Sequence, residues 1–318
     1  MASDRLKITE LDFDTIKANL QTYLNAQTAF TDYDFTGSGL STLLDILAYN
    51  THYNAYYLNM VANEAFLDTS ILRDSAVSHA KTLGYTPFST RSSVATINFK
   101  ANSGNANAGT LTLPAGFSFL SEQIDNKAYN FIVLNDTTVT KADNSYLMED
   151  LSIFEGQYVT YVFTNNSANN PKSIFVLPDS SVDTTTISVS VQQSASNTAT
   201  TVYNKVTEVL DIGPASEVFF LQEEKNGKYE IYFGNGVVGK ALPDGAVVKA
   251  NYVVTNGPVV NKANNFVATS SVSDSLSESL STFVISPISA AAGGAERETV
   301  DAIKYLSLIH ISEPTRPY

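Results

Sequence analysis

The sequence predicts an α+β protein: a helical N-terminal region, mostly antiparallel β-sandwich-like domains after it, and a further helical section truncated near its start. Three observations carry this reading. Apolar residues recur at helical spacing through the first 85 residues. From Val94 the apolar period falls to two, and the alternating runs are separated by clusters of Asn, Gly, Pro, Asp and Ser. Helical spacing returns after Gly293 and Gly294. A length of 318 residues suits two domains or three.

The first helix begins near Thr15, behind Asp12 and Asp14, with Phe13, Ile16, Leu20 and Leu24 at helical spacing. After a turn at Asp32–Gly39, Leu40, Leu43, Leu44 and Leu47 mark the core face of a longer helix. Tyr49, Tyr53, Tyr56, Tyr57 and Met60 continue it at i, i+4, i+7, i+8 and i+11. A third helix spans 70–83, with Gly84 where a left-handed cap belongs and Pro87 beyond it. Strand patterns follow at Ala95–Phe99, Leu111–Leu113, Val159–Phe163, Ile187–Val191, Ile231–Phe233 and Ala246–Val254. The polar stretches 102–109 and 165–171 read as exposed loops. The last helical pattern covers 295–304.

Composition excludes several functions. Asp and Glu number 32 against 19 Lys and Arg, a net charge of −13, so the chain lacks the basic stripe that nucleic-acid binding requires. Zero cysteines exclude disulfides, thiolate metal sites and thiol catalysis, and three histidines are too few for a histidine-rich metal cluster. No apolar run approaches the ~18 residues of a membrane helix, and the first residues lack a signal peptide's apolar stretch. The expectation is an intracellular product, or one released without a secretion signal.

Gly234-Asn-Gly236-Val-Val-Gly239-Lys240 satisfies G-x-G-x-x-G and nearly satisfies G-x-x-x-x-G-K-[ST]. Both motifs need a helix to start in the glycines. Pro243-Asp-Gly245 and an alternating strand follow instead, and Ala241 stands where the magnesium-holding hydroxyl belongs. The expectation is a glycine-rich hairpin connection. Asp32–Gly37 opens like a calcium loop, but Leu43 occupies the position of the bidentate Glu; the turn with Thr36 or Ser38 as cap explains it better. His52 and His79 sit in helical patterns, and no nucleophile elbow or local carboxylate pair is present. No residue is assigned a catalytic, cofactor or metal role.

The tyrosines are more informative. There are 17, with no Trp, and five fall between Tyr49 and Tyr85. Tyr49, Tyr53, Tyr56, Tyr57 and Met60 extend beyond the leucine face. They form either a core stripe or a contact surface, because Tyr buries a large apolar body and tolerates a wet rim.

Five segments together resemble the baseplate wedge protein family of T-even-type contractile-tailed phages. Asp32–Asn50 (DYDFTGSGLSTLLDILAYN) is similar to its N-terminal signature, and Leu72–Ala76 with Leu83–Pro87 to the continuation. Leu113–Phe119 (LPAGFSF), and Glu230–Val248 (EIYFGNGVVGKALPDGAVV) with Tyr252 and Asn256-Gly257, resemble a baseplate J-like β domain. Gly293–Tyr305 (GGAERETVDAIKY) resembles the helix that opens the next section. The resemblance implies a virion structural protein of the tail baseplate that self-associates and binds other wedge proteins. It implies no enzyme activity, cofactor, nucleic acid, membrane or small-molecule substrate.

The implied domains are a helical assembly region (1–90), a β domain (91–180), a baseplate J-like β domain (181–290) and the start of a C-terminal section (291–318). From about residue 306 the tail Leu306–Tyr318 matches nothing in the family and reads as non-native, making the chain an N-terminal fragment; Ser307–Tyr318 should pack poorly. Two other functions compete: a carbohydrate-binding or adhesin-like β protein, which needs open aromatic platforms on a sheet face, and a glycan hydrolase, which needs a cleft with paired carboxylates.

Overall fold

Asp12 starts the first helix. Its carboxylate accepts the Thr15 N–H at 2.7 Å, which satisfies one of the free donors of α1 (Phe13–Asn25). The structure, a computed structural model, describes residues 12–28, 39–105, 107, 109–206 and 212–312. The turn at Asp32–Gly37 and its candidate caps lie outside these. The chain divides into one unit drawn from Met1–Tyr85 and Thr299–Tyr318 and another formed by Thr86–Glu298.

In the first unit α1 packs on α2 (Gly39–Glu64), and Lys17 pairs with Asp45 at 2.5 Å. The third helix, α3 (Arg73–Thr82), is shorter than 70–83 because the Glu64 carboxylate takes the Ile71 and Leu72 N–H groups ahead of its first turn. Its end is as the sequence predicts. Gly84 has φ +78°, the Tyr85 N–H reaches Ala80 O, and the Gly84 N–H reaches Lys81 O.

The last helix, α4 (Val300–Ser312), starts five residues later than its pattern. Ala295 is held extended by backbone bonds in both directions with Arg91. The helix also continues past 305. Ile303 is fully buried against Ala76, Val77 and Ala80, and Ser307 is fully buried with its hydroxyl donating to Ile303 O. The expectation of poor packing from Ser307 is therefore corrected at that residue; residues 313–318 lie outside the description.

The second unit is built of strands: β1 (Val94–Asn102), β2 (Thr110–Leu113), β3 (Ser118–Ser121), β4 (Asn130–Ile132), β5 (Thr137–Thr140), β6 (Ser145–Glu155), β7 (Gln157–Thr164), β8 (Ile174–Val176), β9 (Val182–Ser194), β10 (Asn197–Lys205), β11 (Val218–Glu223), β12 (Tyr229–Phe233), β13 (Val247–Val254), β14 (Phe266–Ala268), β15 (Val272–Ser273), β16 (Ser279–Leu280) and β17 (Phe283–Ala292). An antiparallel six-stranded sheet runs β14-β3-β4-β6-β1-β17. The ribbon β2–β5 contributes Leu111 and Leu113 to its core, beside Ile97, Phe99, Phe119 and Phe131.

A seven-stranded sheet runs β7-β13-β9-β10-β11-β12-β8 and is antiparallel except for the short β10–β11 pairing. It encloses its core by curling on itself. The ring of Phe163 on one edge strand lies 4.8 Å from that of Phe175 on the other.

The division expected at 180/181 cuts through both sheets, because β1 pairs with β17 and β7 pairs with β13. Residues 157–254 are instead inserted between the two halves of the first sheet. Glu155 secures both crossings. Its buried carboxylate accepts the Thr255 hydroxyl at 2.6 Å, the Asn256 N–H at 3.0 Å and the Asn256 side-chain amide at 2.6 Å. The loops expected to be exposed are pinned at their ends. Asn165 is buried and donates to Pro243 O, and Ser103 donates to Glu278.

Candidate assembly surface

A helix packed on one side buries the residues that recur along one stripe. In α2 that stripe is Leu44, Ala48, Ala55, Asn59 and Asn63. Small residues dominate it. The two asparagines turn their amides back onto Ala55 O and Asn59 O, so their burial leaves those donors satisfied. The expected leucine core face is corrected: Leu44 is buried, Leu40 is half-buried, and Leu43 and Leu47 are exposed.

The predicted stripe lies open. Tyr49, Tyr53, Tyr56, Tyr57 and Met60 are 56, 41, 52, 56 and 41% exposed, so it is not core in this chain. Its rings support one another. Tyr49 donates its hydroxyl to that of Tyr53 at 2.9 Å, with ring centroids 4.6 Å apart and edge-to-face. Tyr57 lies 6.3 Å from Tyr53 and 5.9 Å from Tyr56. Such a ladder loses less side-chain freedom on contact than separate rings would.

Sequence reasoning gave Leu43 and Leu47 to the core and missed Ile46, Leu58 and Val61; all five are exposed on the same helix. The available signal was that α2 is apolar nearly all round, which a one-sided surface helix is not. His52 touches the Tyr53 ring edge-on at 5.9 Å, and His79 bonds to Glu64 O at 2.9 Å across the α2–α3 connection.

The near-nucleotide loop has no helix in it. Gly236 and Gly239 have φ of +84° and +77°, and the Gly236 N–H closes the turn onto Gly239 O at 3.0 Å. Asn235 accepts from the Val237 and Val238 N–H groups, and Lys240 is paired with Glu217 at 2.7 Å. The N–H groups a phosphate would use are thus spent. The loop is not a hairpin, however: β12 and β13 hold separate places in the curled sheet.

The cleft beside Leu120, Lys127, Tyr129, Asn130 and Asn256 presents one carboxylate, Glu155, already held by the three donors described above. That is an anchor, not an acid–base pair. On the sheet face, Phe220 and Tyr232 stack on each other at 4.9 Å and are half-buried, so they do not form an open platform. No helix among the described residues is long and apolar enough to cross a membrane.

Residues 12–85 match the family described as baseplate wedge protein gp6-like, helical domain, and residues 161–267 match the third domain of the bacteriophage baseplate wedge protein gp6. The baseplate wedge protein gp6 of Enterobacteria phage T4 is 27% identical over 317 aligned positions, covering 93% of this chain and 46% of that protein. The chain therefore spans about half the length of that relative. A chain of the anti-feeding prophage baseplate, solved by cryo-electron microscopy with 6-fold symmetry, aligns over 98% of this chain and 62% of its own length. Its TM-score is 0.33 and its identity 14%, too slight a likeness to argue from. With both gp6 domain matches in place and a gp6 relative along nearly its whole length, the chain belongs to the gp6-like baseplate wedge family.

Proposed function

We propose that the chain acts as a structural, non-catalytic subunit of a contractile phage tail baseplate wedge. In this reading it works by protein–protein assembly with copies of itself and with other wedge proteins, through the open face of α2. The observation that carries this is the exposed apolar ladder from Leu43 to Val61 on one helix. An apolar surface of that extent marks an interaction site on a soluble protein. The ladder lies within residues 12–85, the stretch that matches the gp6-like helical domain.

The experiment is the double variant Tyr53→Ser with Tyr57→Ser in the whole chain. Light scattering reads self-association and co-assembly with the cognate wedge proteins, and circular dichroism reads the β region. Assembly should weaken while the β signal and the helical signal persist. Loss of helical signal in the isolated chain, with assembly unaffected in the remaining folded fraction, would place the interface elsewhere.

A further inference from the structure

The two most exposed large apolar side chains among the described residues are Val237, at 71%, and Val267, at 70%. Single exposed valines are ordinary. Neither of these stands alone: Val237 is on a rigid loop tip and Val267 on the lip of a groove, both within the Thr86–Glu298 unit.

The tip is Val237-Val238. The Asn235 side chain accepts both of their N–H groups, at 3.0 and 3.1 Å, and the Gly236 and Lys240 N–H groups bond to Gly239 O and Ser216 O. Such a turn sets its side chains before any contact, so little freedom is lost on docking. Val238 is also exposed, and Lys240 is neutralised by Glu217. The loop therefore presents a preset, uncharged apolar knob.

The groove lies between β14 and β17, the end strands of the six-stranded sheet, which are not paired with each other. Its volume is about 530 Å³, and it is lined by residues 266–268 and 281–285, none of them charged. Its floor is fixed by core rings: Phe266 lies 4.8 Å from Phe131, and Phe283 lies 4.9 Å from Phe99. Val267 on β14 and Val284 on β17 are its exposed lips.

We propose that Val237 and Val238 of one copy seat in the β14–β17 groove of a second copy. The chain carries both halves of the contact: a convex, rigid apolar knob and a concave apolar groove. Neither half bears a net charge, so two chains of net charge −13 meet there without opposing like charges. Val237 does not fill the groove of its own chain, because it is exposed. The contact is heterologous: each copy offers its tip to one neighbour and its groove to another, which generates a ring where the rotation closes. It is a second self-contact, separate from the α2 face. One loop tip buries far less than the roughly 1,600 Å² of a standard interface, so the contact is weak and best read by trapping.

The absence of cysteine makes the trap clean. Val237→Cys and Val267→Cys, each in the whole chain, are mixed under mild oxidation, and mass spectrometry of the linked peptides follows the 237–267 disulfide. A thiol seated in the groove meets the lip at an effective concentration of about 1 mM. At ~0.1 mM protein the 237–267 link should therefore form at least about tenfold faster than the link between Val237→Cys and the exposed control Val202→Cys. Adding Val284→Asn to the Val267→Cys chain makes the opposite lip polar without adding charge, and should return the rate to the control's; circular dichroism checks that the β signal is retained. Tyr53→Ser with Tyr57→Ser should leave the trapping rate unchanged, which separates this contact from the α2 surface. A 237–267 rate equal to the control's, as a groove reserved for a different wedge protein would give, overturns the proposal. So does a rate unmoved by Val284→Asn in folded protein.

Discussion

Two alanine substitutions separate the reasons for glycine in the loop that resembles a phosphate cradle. At Gly236 a Cβ would meet only Ala241 Cβ, at 3.9 Å, so the cost is the left-handed backbone with φ +84°. That conformation costs a non-glycine residue about 1–2 kcal/mol. At Gly234 a Cβ would stand 2.1 Å from Gly239 C and 2.2 Å from Gly239 O, which are backbone atoms that cannot rotate away. The two arms of the loop would have to separate. That strains the Gly236 N–H bond to Gly239 O and the neighbouring bonds from Gly239 to Gly213 and from Lys240 to Ser216. Losing one or two such bonds, at ~1 kcal/mol each, on top of backbone strain gives about 3–4 kcal/mol. Urea unfolding of Gly234→Ala and Gly236→Ala, compared through midpoint and slope, reads both. An equal or larger loss for Gly236→Ala would refute the packing argument, and micromolar ATP binding by calorimetry would refute the reading of the loop itself.

Glu155→Ala strips the acceptor from the Thr255 hydroxyl and the Asn256 amides, and should cost about 2–4 kcal/mol by urea unfolding. Ile303→Ala, fully buried against α3, should lower the stability of the helical unit by about 2–5 kcal/mol, read by its helical circular dichroism. Glu278 is held below its ordinary carboxylate value of 4.5, first by the Ser103 hydroxyl and then by the Gly104 N–H. The stability it contributes is therefore complete above pH 4.5 and lost as pH falls through the lower folded value. The gap in urea midpoint between the wild type and Glu278→Gln should be constant while the pH stays well above the ordinary value of 4.5 and should narrow as the pH falls below it; a gap that widens on acidification would contradict this.

The elements legible in the sequence are those whose local and tertiary demands agree. Ile187, Val189 and Val191 alternate because β9 lies mid-sheet with one face on the core, and Gly84 ends α3 because only a left-handed residue closes that turn. β10, NTATTVYNK, was hidden because its side chains are mostly exposed and its order comes from backbone pairing with β9. β17 was hidden by Pro287, which an edge strand accommodates. The insertion of residues 157–254 depends on long-range register, which alternation alone does not encode. At the candidate surface, the tyrosine ladder was legible as a helical stripe, but its exposure was not. Periodicity groups residues on a face without saying whether anything covers it, and here Leu44, Ala48 and Ala55 serve the core instead of the larger side chains.

The most direct measurement is amide hydrogen exchange across α2 in the free chain and after mixing with the cognate wedge proteins. Peptides covering 43–61 should slow markedly on assembly, more than those covering the buried strands β6 and β13. Unchanged exchange over 43–61 in a complex that has demonstrably formed would contradict the assignment of the α2 face as the assembling surface.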